Sequence, residues 1–431
     1  MIHSTSRLKY YNRPVTSPIF ETEIPKEYRS NFIHLYFDIG WFGVLSGSSV
    51  NFLNIYAARL GATGFQIGLL GAMAAAVSLV LAIPSGHWIS KRHIGKAVFW
   101  ASVIYRIGFL LWVPLPWLFG NEGQIWALII IALLMAIPLT PLAVGFNALF
   151  AAAVPIEYRA HVAGVRNVVL SVTFVLSSLA SGYLLDHISF PTGYQVVFLI
   201  GFIGAAMSSL HLYFVRPLAS DANPLLSEPS PVEDPERADQ RPNLFSAIRA
   251  DVWSTRFRNV LLVMMGFHLA QFLALPLFPL YQVNQLRLTD DQLGIGSALF
   301  YVVVLVGSTQ LRRIVYHIGH QRVTALGVVG MGLYPFLLAL SRTPLDFYGI
   351  SALGGLSWSL AGGAYANYML EHIPAHDRPA YLAWYNVVLN ASILIGSLAG
   401  PLIANQIGLI PALFAFAAAR TLAGMAIWKW G

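Results

Sequence analysis

Three of the ionisable side chains that lie inside long apolar segments fall in the first half of this sequence. Asp38 lies in the first such segment, and Arg106 and Arg166 lie in the third and the fifth. An ionisable group in hydrocarbon costs at least about 2.5 kcal/mol, so it marks a functional candidate. At about 1.5 Å per residue, each would lie roughly 9 to 14 Å inside its helix. Two chemistries fit: Asp38 takes up and releases a proton, or it forms a structural ion pair with one of the arginines.

The composition defines the environment of these groups. Hydrophobic residues make up 57% of the 431 residues and charged residues 10%, which leaves too little polar surface for a soluble globule. Backbone groups in hydrocarbon must be paired internally, so apolar segments of about 20 residues predict membrane-spanning helices and not barrel strands. The predicted spans are 31–57, 65–85, 97–119, 125–149, 160–185, 194–216, 258–282, 291–311, 322–341, 346–370, 380–405 and 409–428.

Two internal matches indicate that six spans have been duplicated. The stretch that begins with Pro155 and Arg159 returns as Pro374 and Arg378, and Asn-Val-Val-Leu follows in both copies. A second match pairs two sets with identical spacing, Leu60, Thr63, Gln66 and Gly68 with Leu286, Thr289, Gln292 and Gly294. The predicted fold class is therefore an all-α membrane protein with twelve transmembrane helices in two parallel six-helix repeats.

The basic residues indicate the topology. Most of the 26 Lys and Arg residues fall in the N-terminal tail and in alternate loops. The positive-inside rule therefore places both termini in the cytoplasm, and the first 30 residues show no removable signal peptide. This distribution accounts for the net charge of +7 without a nucleic-acid partner. Because the chain has no cysteine, disulfides and thiolate sites are excluded.

One long polar segment divides the chain. Its first part, from Pro217 to Pro242, is rich in Pro, Ser, Asp and Glu and predicts a flexible linker. Leu244, Ile248 and Val252 then recur every four residues, which indicates an amphipathic helix. This helix lies either on the inner membrane surface or packed beneath the bundles. The predicted domains are a tail at 1–30, helical bundles at 31–216 and 258–431, and the linker with its helix at 217–257.

These features together resemble the major facilitator superfamily of secondary transporters over residues 31–428. The family's loop motif between the second and third spans is matched in part, with Ser90 in place of the usual acid. An arginine before the fifth span and another before the eleventh also match the family pattern. The resemblance implies a gating role for Gly86, Lys91, Gly95, Arg159 and Arg378. The alternative is that these basic loops only mark topology.

The resemblance also implies a central cavity lined by the first, fourth, seventh and tenth spans. Carried over by position, it selects as substrate-binding candidates Asn51, Asn147, His268, Gln271, Trp358, Tyr365 and Asn367. Such neutral polar and aromatic side chains favour a small amphipathic or aromatic solute over a polyanion. The alternative is that several of them only bond one helix to another. The proton-coupling candidates are Asp38, Arg106 and Arg166.

The activity implied by the resemblance is secondary active transport of a small organic solute across the plasma membrane by alternating access. The aromatic, weakly charged cavity favours proton-coupled efflux, while symport uptake and a non-transporting receptor or assembly factor are the alternatives. No nucleotide-binding loop, catalytic triad or metal-ligand cluster is visible, so we expect neither an enzyme nor a cofactor. The expected partners are a small-molecule substrate, protons and the lipid bilayer, with the chain acting as a monomer.

Overall fold

The computed structural model describes residues 26–218, 249–374 and 377–431, which contain helices and no strand. Most of the predicted tail 1–30 and of the linker 217–257, with Leu244 and Ile248, lies outside the described residues. The α-helices are α1 (Lys26–Leu45), α2 (Asn51–Arg59), α3 (Gly64–Ser90), α4 (Ile94–Leu111), α5 (Leu115–Leu118), α6 (Asn121–Ala153), α7 (Arg159–His187), α8 (Thr192–Phe214), α9 (Phe257–Ala274), α10 (Leu277–Leu280), α11 (Asp290–Ile318), α12 (His320–Leu340), α13 (Pro344–Glu371), α14 (Arg378–Ile407) and α15 (Leu409–Trp430).

Ten of the described helical segments are long and apolar enough to cross a membrane, judged by length and composition. They include the continuous segment Phe257–Gln285, which contains α9 and α10. They do not include α13 or the segment formed by α1 and α2. The prediction of an all-helical, multi-pass membrane protein is therefore confirmed.

Three predicted spans differ in shape from a single regular helix. The third span was predicted at 97–119, and this C-terminal boundary was wrong, because α4 stops at Leu111 and Pro114 follows shortly after. Proline lacks the N–H that would continue the helical hydrogen bonds. The first and seventh spans each contain a π-helical turn, at Ser46–Val50 and Tyr281–Gln285. Such turns are frequent at functional sites.

The repeated sequence motif has a repeated geometry. At the start of α3 the Thr63 hydroxyl accepts a hydrogen bond from the Gln66 backbone N–H at 3.3 Å, and the Gln66 side chain accepts one from the Thr63 N–H at 2.8 Å. Thr289 and Gln292 form the same reciprocal pair at the start of α11. These capping boxes satisfy N–H groups that have no partner inside the helix, so both helices begin at defined residues.

Helix packing repeats as well. We call α1–α8 the first set and α9–α15 the second set. In the first set α1 packs on α7 and α8, α3 on α6, and α4 on α6 and α8. In the second set α9 packs on α14 and α15, α11 on α13, and α12 on α13 and α15. The two sets meet mainly where α3 packs on α14 and α7 on α11.

Glycines allow the close approach between the two sets. A Cβ atom added at Gly68 in α3 would lie 2.1 Å from the Ser397 carbonyl oxygen of α14. A Cβ atom added at Gly294 in α11 would lie 2.8 Å from the Ser178 carbonyl oxygen of α7. Any larger residue at either position would push the backbones apart. Both close approaches lie near the end of the helices that holds connections 60–63 and 286–289. We call this end the opposite face.

The other end, which we call the terminal face, is where α1 begins and α15 ends. Here a short 3₁₀ helix, Ala250–Ser254, packs against α9 and α14. Val252 is fully buried, and Trp253 contacts Trp384 edge to face. Arg249 forms a salt bridge of 2.6 Å with Asp377. The described end of the predicted amphipathic segment thus packs beneath the second set of helices.

Candidate functional site

A cavity of about 430 Å³ lies between the two sets of helices. Its lining comprises Asn51, Asn54, Ile55, Gln271, Leu275, Phe278, Pro279, Gln282, Leu293, Gly296, Ser297, Phe300, Tyr301, Met331, Tyr334, Phe347, Ser351, Gly354, Trp358 and Arg420. Most of this surface is apolar, with a few polar groups among aromatic rings. That combination is typical of small-molecule sites.

Three predicted substrate-binding residues, Asn51, Gln271 and Trp358, line this cavity. Asn51 follows the π-helical turn Ser46–Val50 and begins α2. Its side-chain amide donates to the Ser178 hydroxyl at 3.1 Å and accepts from the Ser297 hydroxyl at 3.1 Å. Ser297 belongs to the second set, so Asn51 links the two sets directly at the cavity wall.

The other four predicted substrate-binding residues are not among those that line this cavity. Asn147 and Asn367 are exposed in the parts of α6 and α13 nearer the terminal face. The His268 imidazole is buried and hydrogen-bonded to the Tyr385 hydroxyl at 2.9 Å. Tyr365 lies edge-on to His268, with ring centroids 6.3 Å apart. These residues lie between the cavity and the terminal face, and their binding role stays a prediction.

Arg420 of α15 is the one cation in the cavity lining, and the sequence-based set of site residues omitted it. Its side chain is buried, at 2% exposed, and donates to backbone carbonyls of three residues, Gln271 at 2.8 Å, Met331 at 3.2 Å and Ala270 at 3.4 Å. The guanidinium carbon lies 5.4 Å from the centre of the Phe278 ring. Its sequence signal was the same as that of Arg106, a lone arginine inside an apolar segment. Only the packing of α15 against α9 and α12 brings it to the cavity.

The three proton-coupling candidates meet in a second buried cluster. Arg166 Nη1 lies 3.2 Å from one Asp38 carboxylate oxygen, and Arg106 Nη2 lies 3.9 Å from the other. The Ser208 hydroxyl donates to the same carboxylate at 2.5 Å. Asp38 is only 3% exposed, so these partners offset the cost of burying its charge. The cluster lies within the first set, apart from the cavity lining.

The predicted gating residues lie at the terminal face. Arg159 donates to the carbonyls of Ala151 at 2.6 Å and Val154 at 3.1 Å, so its side chain caps the C-terminal end of α6. Arg378 and Lys91 are exposed. A Cβ atom added at Gly86 would meet nothing within 4 Å, and one at Gly95 would make only ordinary contacts, the nearest with His93. These contacts leave the predicted gating roles untested.

A polar cluster at the opposite face, which we call the latch, joins the two sets. Arg59 Nη2 of α2 lies 3.0 Å from the Asp290 carboxylate of α11 and 2.6 Å from the Leu288 carbonyl oxygen. The Tyr194 hydroxyl also donates to Asp290, at 2.9 Å. The Asp186 carboxylate accepts a bond from the Asp290 backbone N–H at 3.0 Å. Sequence reasoning missed this cluster because its members lie far apart in the chain.

The contacts between the sets are unequally distributed. Among the residues that the structure describes, the hydrogen bonds and salt bridges between the two sets involve either the latch or the neighbourhood of Asn51, where Ser178 also donates to the Gly294 carbonyl at 3.1 Å. The Phe174 and Tyr301 rings stack between the sets with centroids 3.8 Å apart. The polar contacts that hold the sets together therefore lie from the cavity to the opposite face.

Comparisons with known proteins agree with this architecture. A staphyloferrin B transporter of Staphylococcus aureus is 30% identical over 169 residues, which span 36% of this chain and 37% of that protein. A cis,cis-muconate transport protein of Acinetobacter baylyi is 22% identical over 252 residues, 57% of each chain. The matched segments thus cover about a third to a little over half of these relatives.

Solved structures share the fold. The crystal structure of the nucleoside transporter NupG matches 93% of this chain and 98% of its own, with a TM-score of 0.65 and 12% identity. A bacterial homologue of the iron transporter ferroportin, in an inward-facing state, matches 95% of this chain and 99% of its own, with a TM-score of 0.66 and 14% identity. The family model of the Major Facilitator Superfamily matches residues 39–289 and 260–431. These relatives are transporters and not enzymes, and the chain itself belongs to the Major Facilitator Superfamily.

Proposed function

We propose that this protein moves a small organic solute across the plasma membrane by alternating access. In this proposal α13 and the segment formed by α1 and α2 also cross the membrane, which completes two six-helix repeats. The domains are then 31–216 and 258–431, joined by the cytoplasmic linker 217–257. The repeated packing of the two sets supports this division. The excess of basic residues in the loops of the terminal face supports a cytoplasmic position for both termini.

The observation that carries the proposal is a cavity between the two sets with a polar latch on one side only. A solute held there contacts both sets, so its binding energy acts on their relative position. With Arg59 and Asp290 paired, the opposite face is closed. In the proposed topology this conformation is the inward-facing state. Opening of the latch would expose the cavity to the other side of the membrane.

We further propose that protons drive export of the solute and that Asp38 couples the two. Asp38 and Asp290 are the two buried acids among the described residues, and Asp38 alone lies deep in the helices. The mostly apolar cavity, with six aromatic residues and a few polar ones in its lining, supports an amphipathic solute, and two relatives, transporters of staphyloferrin B and of cis,cis-muconate, support an organic one. Solute accumulation in proteoliposomes is measured under pH gradients of opposite sign. The sign that drives accumulation distinguishes export from uptake.

The central experiment locks the latch. The chain has no cysteine, so the double variant R59C/D290C carries one introduced thiol pair. A solute found by thermal-shift screening of purified protein is loaded into proteoliposomes, and its exchange is measured before and after linking the two thiols with a short bifunctional reagent that a reductant cleaves. We expect linking to stop exchange and reduction to restore it.

The two single variants, treated with the same reagent, are the matched controls. Each carries one of the two thiols and loses the same salt bridge, but it cannot be linked across the sets. Undiminished exchange through the linked double variant would contradict alternating access at this face. A protein that binds the solute and never exchanges it would instead support the receptor or assembly-factor alternative.

A further inference from the structure

Arg420 differs from the other buried arginines in what surrounds it. Arg106 and Arg166 share the carboxylate of Asp38. Arg420 has no described carboxylate within the 4.0 Å of a salt bridge, and its described hydrogen bonds all go to backbone carbonyls. Carbonyl dipoles orient the guanidinium but carry no net charge. The cavity wall therefore holds a full positive charge that no described residue neutralises.

The guanidinium also has donor capacity to spare. Arginine carries five N–H donors in a planar fork, and the three described bonds of Arg420 use three of them. The bonds to Gln271 of α9 and Met331 of α12 fix the guanidinium fork between these two helices. Both residues also line the cavity, so the fork is held at the cavity wall. A side chain held in this way loses little further conformational freedom when it binds a ligand. Such pre-organised arginine is the side chain best suited to a carboxylate.

The rest of the cavity defines the other half of a ligand. Six of its twenty lining residues are aromatic, among them Phe278, which lies beside the Arg420 guanidinium, and Trp358 and Tyr334. The Gln271 side-chain oxygen is buried and has no hydrogen-bond partner, so it offers an acceptor to a ligand hydroxyl or N–H group. A volume of about 430 Å³ accommodates a single small molecule.

We propose that the solute is an organic anion with one carboxylate on a planar, mostly apolar body. Its carboxylate binds the Arg420 guanidinium, its body packs on the aromatic wall, and a donor group reaches Gln271. One cation in the wall matches one anionic group, whereas a polyanion would leave charges unpaired in a low-dielectric site. This inference rests on the proposed function and specifies its substrate class.

Matched ligands of different charge test the proposal. Purified protein at pH 7 is titrated with benzoate, cinnamate, 4-hydroxycinnamate and 2-naphthoate, and with the neutral amide and the cationic amine of the same bodies. Calorimetry gives each affinity. A hydrogen bond to a charged group contributes about 1.5 to 3 kcal/mol, so we expect at least one carboxylate to bind about tenfold to hundredfold more tightly than its amide.

Variants then assign the preference to Arg420. In R420Q the carboxylate and its amide should bind within about twofold of each other, because the charge is lost. In R420K the carboxylate preference should persist but weaken, since lysine keeps the charge and loses the fork. R342Q removes an exposed arginine outside the cavity and should retain the full preference. The melting temperature of each ligand-free variant reports any loss of fold, and the comparison of carboxylate with amide in the unaltered protein does not depend on a variant.

Each outcome decides a separate point. Equal binding of carboxylates and amides, tighter binding of amines, or a carboxylate preference that survives R420Q in a folded protein overturns the anion class. In those cases exchange of the bound amide or amine through proteoliposomes leaves the proposed transport intact. Carboxylate binding that depends on Arg420, with no exchange through proteoliposomes, supports the anion site and contradicts transport. If no compound of any charge binds, the anion proposal fails.

Discussion

Arg59 and Asp290 form a salt bridge of 3.0 Å across the boundary between the two sets of helices. Each residue lies beside one copy of the repeated Thr-X-X-Gln motif, Arg59 before Thr63 and Asp290 after Thr289. The motif is duplicated, but the pair is not, because the two copies carry different charged neighbours. An asymmetric group of contacts around this pair therefore joins the two sets at the opposite face of a pseudo-symmetric structure.

The first prediction concerns this contact. D290N removes the charge but keeps the size of the side chain, so the closed conformation should lose about 1 to 3 kcal/mol. A cysteine at Ile55 in the cavity wall should then react faster with an impermeant thiol reagent added at the opposite face. R342Q, which removes an exposed charge at the same face, is the control. An unchanged labelling rate in D290N would mean that the latch does not hold the closed state.

The second prediction separates two roles of Asp38. If Asp38 couples protons, D38N should abolish proton-driven accumulation but preserve solute exchange. If Asp38 only neutralises Arg106 and Arg166, removal of one buried partner should cost about 3 to 5 kcal/mol and lower the melting temperature. Accumulation, exchange and thermal unfolding are measured on the same preparation. Normal proton-driven accumulation in a stable D38N protein would exclude coupling through this residue.

The third prediction tests the cavity wall. W358A removes an aromatic surface and Q271A removes a polar side chain from the cavity lining, so both should weaken binding of the solute found by screening. Loss of a buried aromatic contact of about 1.5 to 3 kcal/mol corresponds to at least tenfold weaker binding for W358A. W117A is the control, because Trp117 is 75% exposed and outside the cavity. Normal affinity in both cavity variants would show that the solute does not bind in this cavity.

The fourth prediction concerns topology. Single cysteines replace Glu122, at the opposite face, and Lys96, near the terminal face; both residues are exposed. Because basic loops remain in the cytoplasm, the cysteine at position 122 should react with an impermeant thiol reagent in intact cells, while that at position 96 should react only after permeabilisation. Reaction at both positions in intact cells would contradict the proposed orientation.

The fifth prediction concerns the short helix at the terminal face. Hydrogen bonds from Arg249 lower the pKa of Asp251 below its ordinary value of 3.8. A lowered acid pKa stabilises the folded contact above the ordinary value, and this contribution falls as the pH drops through the lowered one. The Trp384 indole donates to the Arg249 carbonyl at 3.0 Å, so its fluorescence should report the contact. The signal should be constant from about pH 7 to pH 5 and change below about pH 4, and D251N should remove Asp251's part of that change.

Sequence patterns predicted those parts of the fold that depend on composition and local spacing. Long apolar segments require helices in hydrocarbon, and the repeated Thr-X-X-Gln motif predicts two equivalent helix starts. The end of α4 was placed too late because a run of apolar residues continues past Pro114, and hydropathy does not record the missing N–H. Hydropathy likewise does not reveal the π-helical turns, which keep the same apolar character as the helices around them.

The sequence predicted part of the cavity lining, for residues whose position along a single helix was enough to place them. Asn51, Gln271 and Trp358 line the cavity as their positions along the first, seventh and tenth spans suggested. Arg420 comes from the last span, and its contribution depends on how far a long side chain reaches between two neighbouring helices. The side-chain hydrogen bonds of Asp290 come from Arg59 and Tyr194, which are more than 90 positions away in the sequence. Such relationships belong to tertiary packing, and one sequence carries no direct signal for them.

The glycine approaches between the two sets have a mechanical consequence. Gly182 of α7 lies against Gly294 of α11, and Gly68 of α3 lies against Ser397 of α14. The two sets therefore touch backbone to backbone at two points near one end of long helices, and these points can serve as a pivot. Along α7, Arg159 lies about 35 Å from Gly182 at 1.5 Å per residue. A rotation of roughly 10° about that point would carry the far end of the helix about 6 Å, while residues beside the pivot move by less than an ångström. A small angular change would thereby open an aperture of molecular size at the terminal face with little disturbance of the contacts at the pivot.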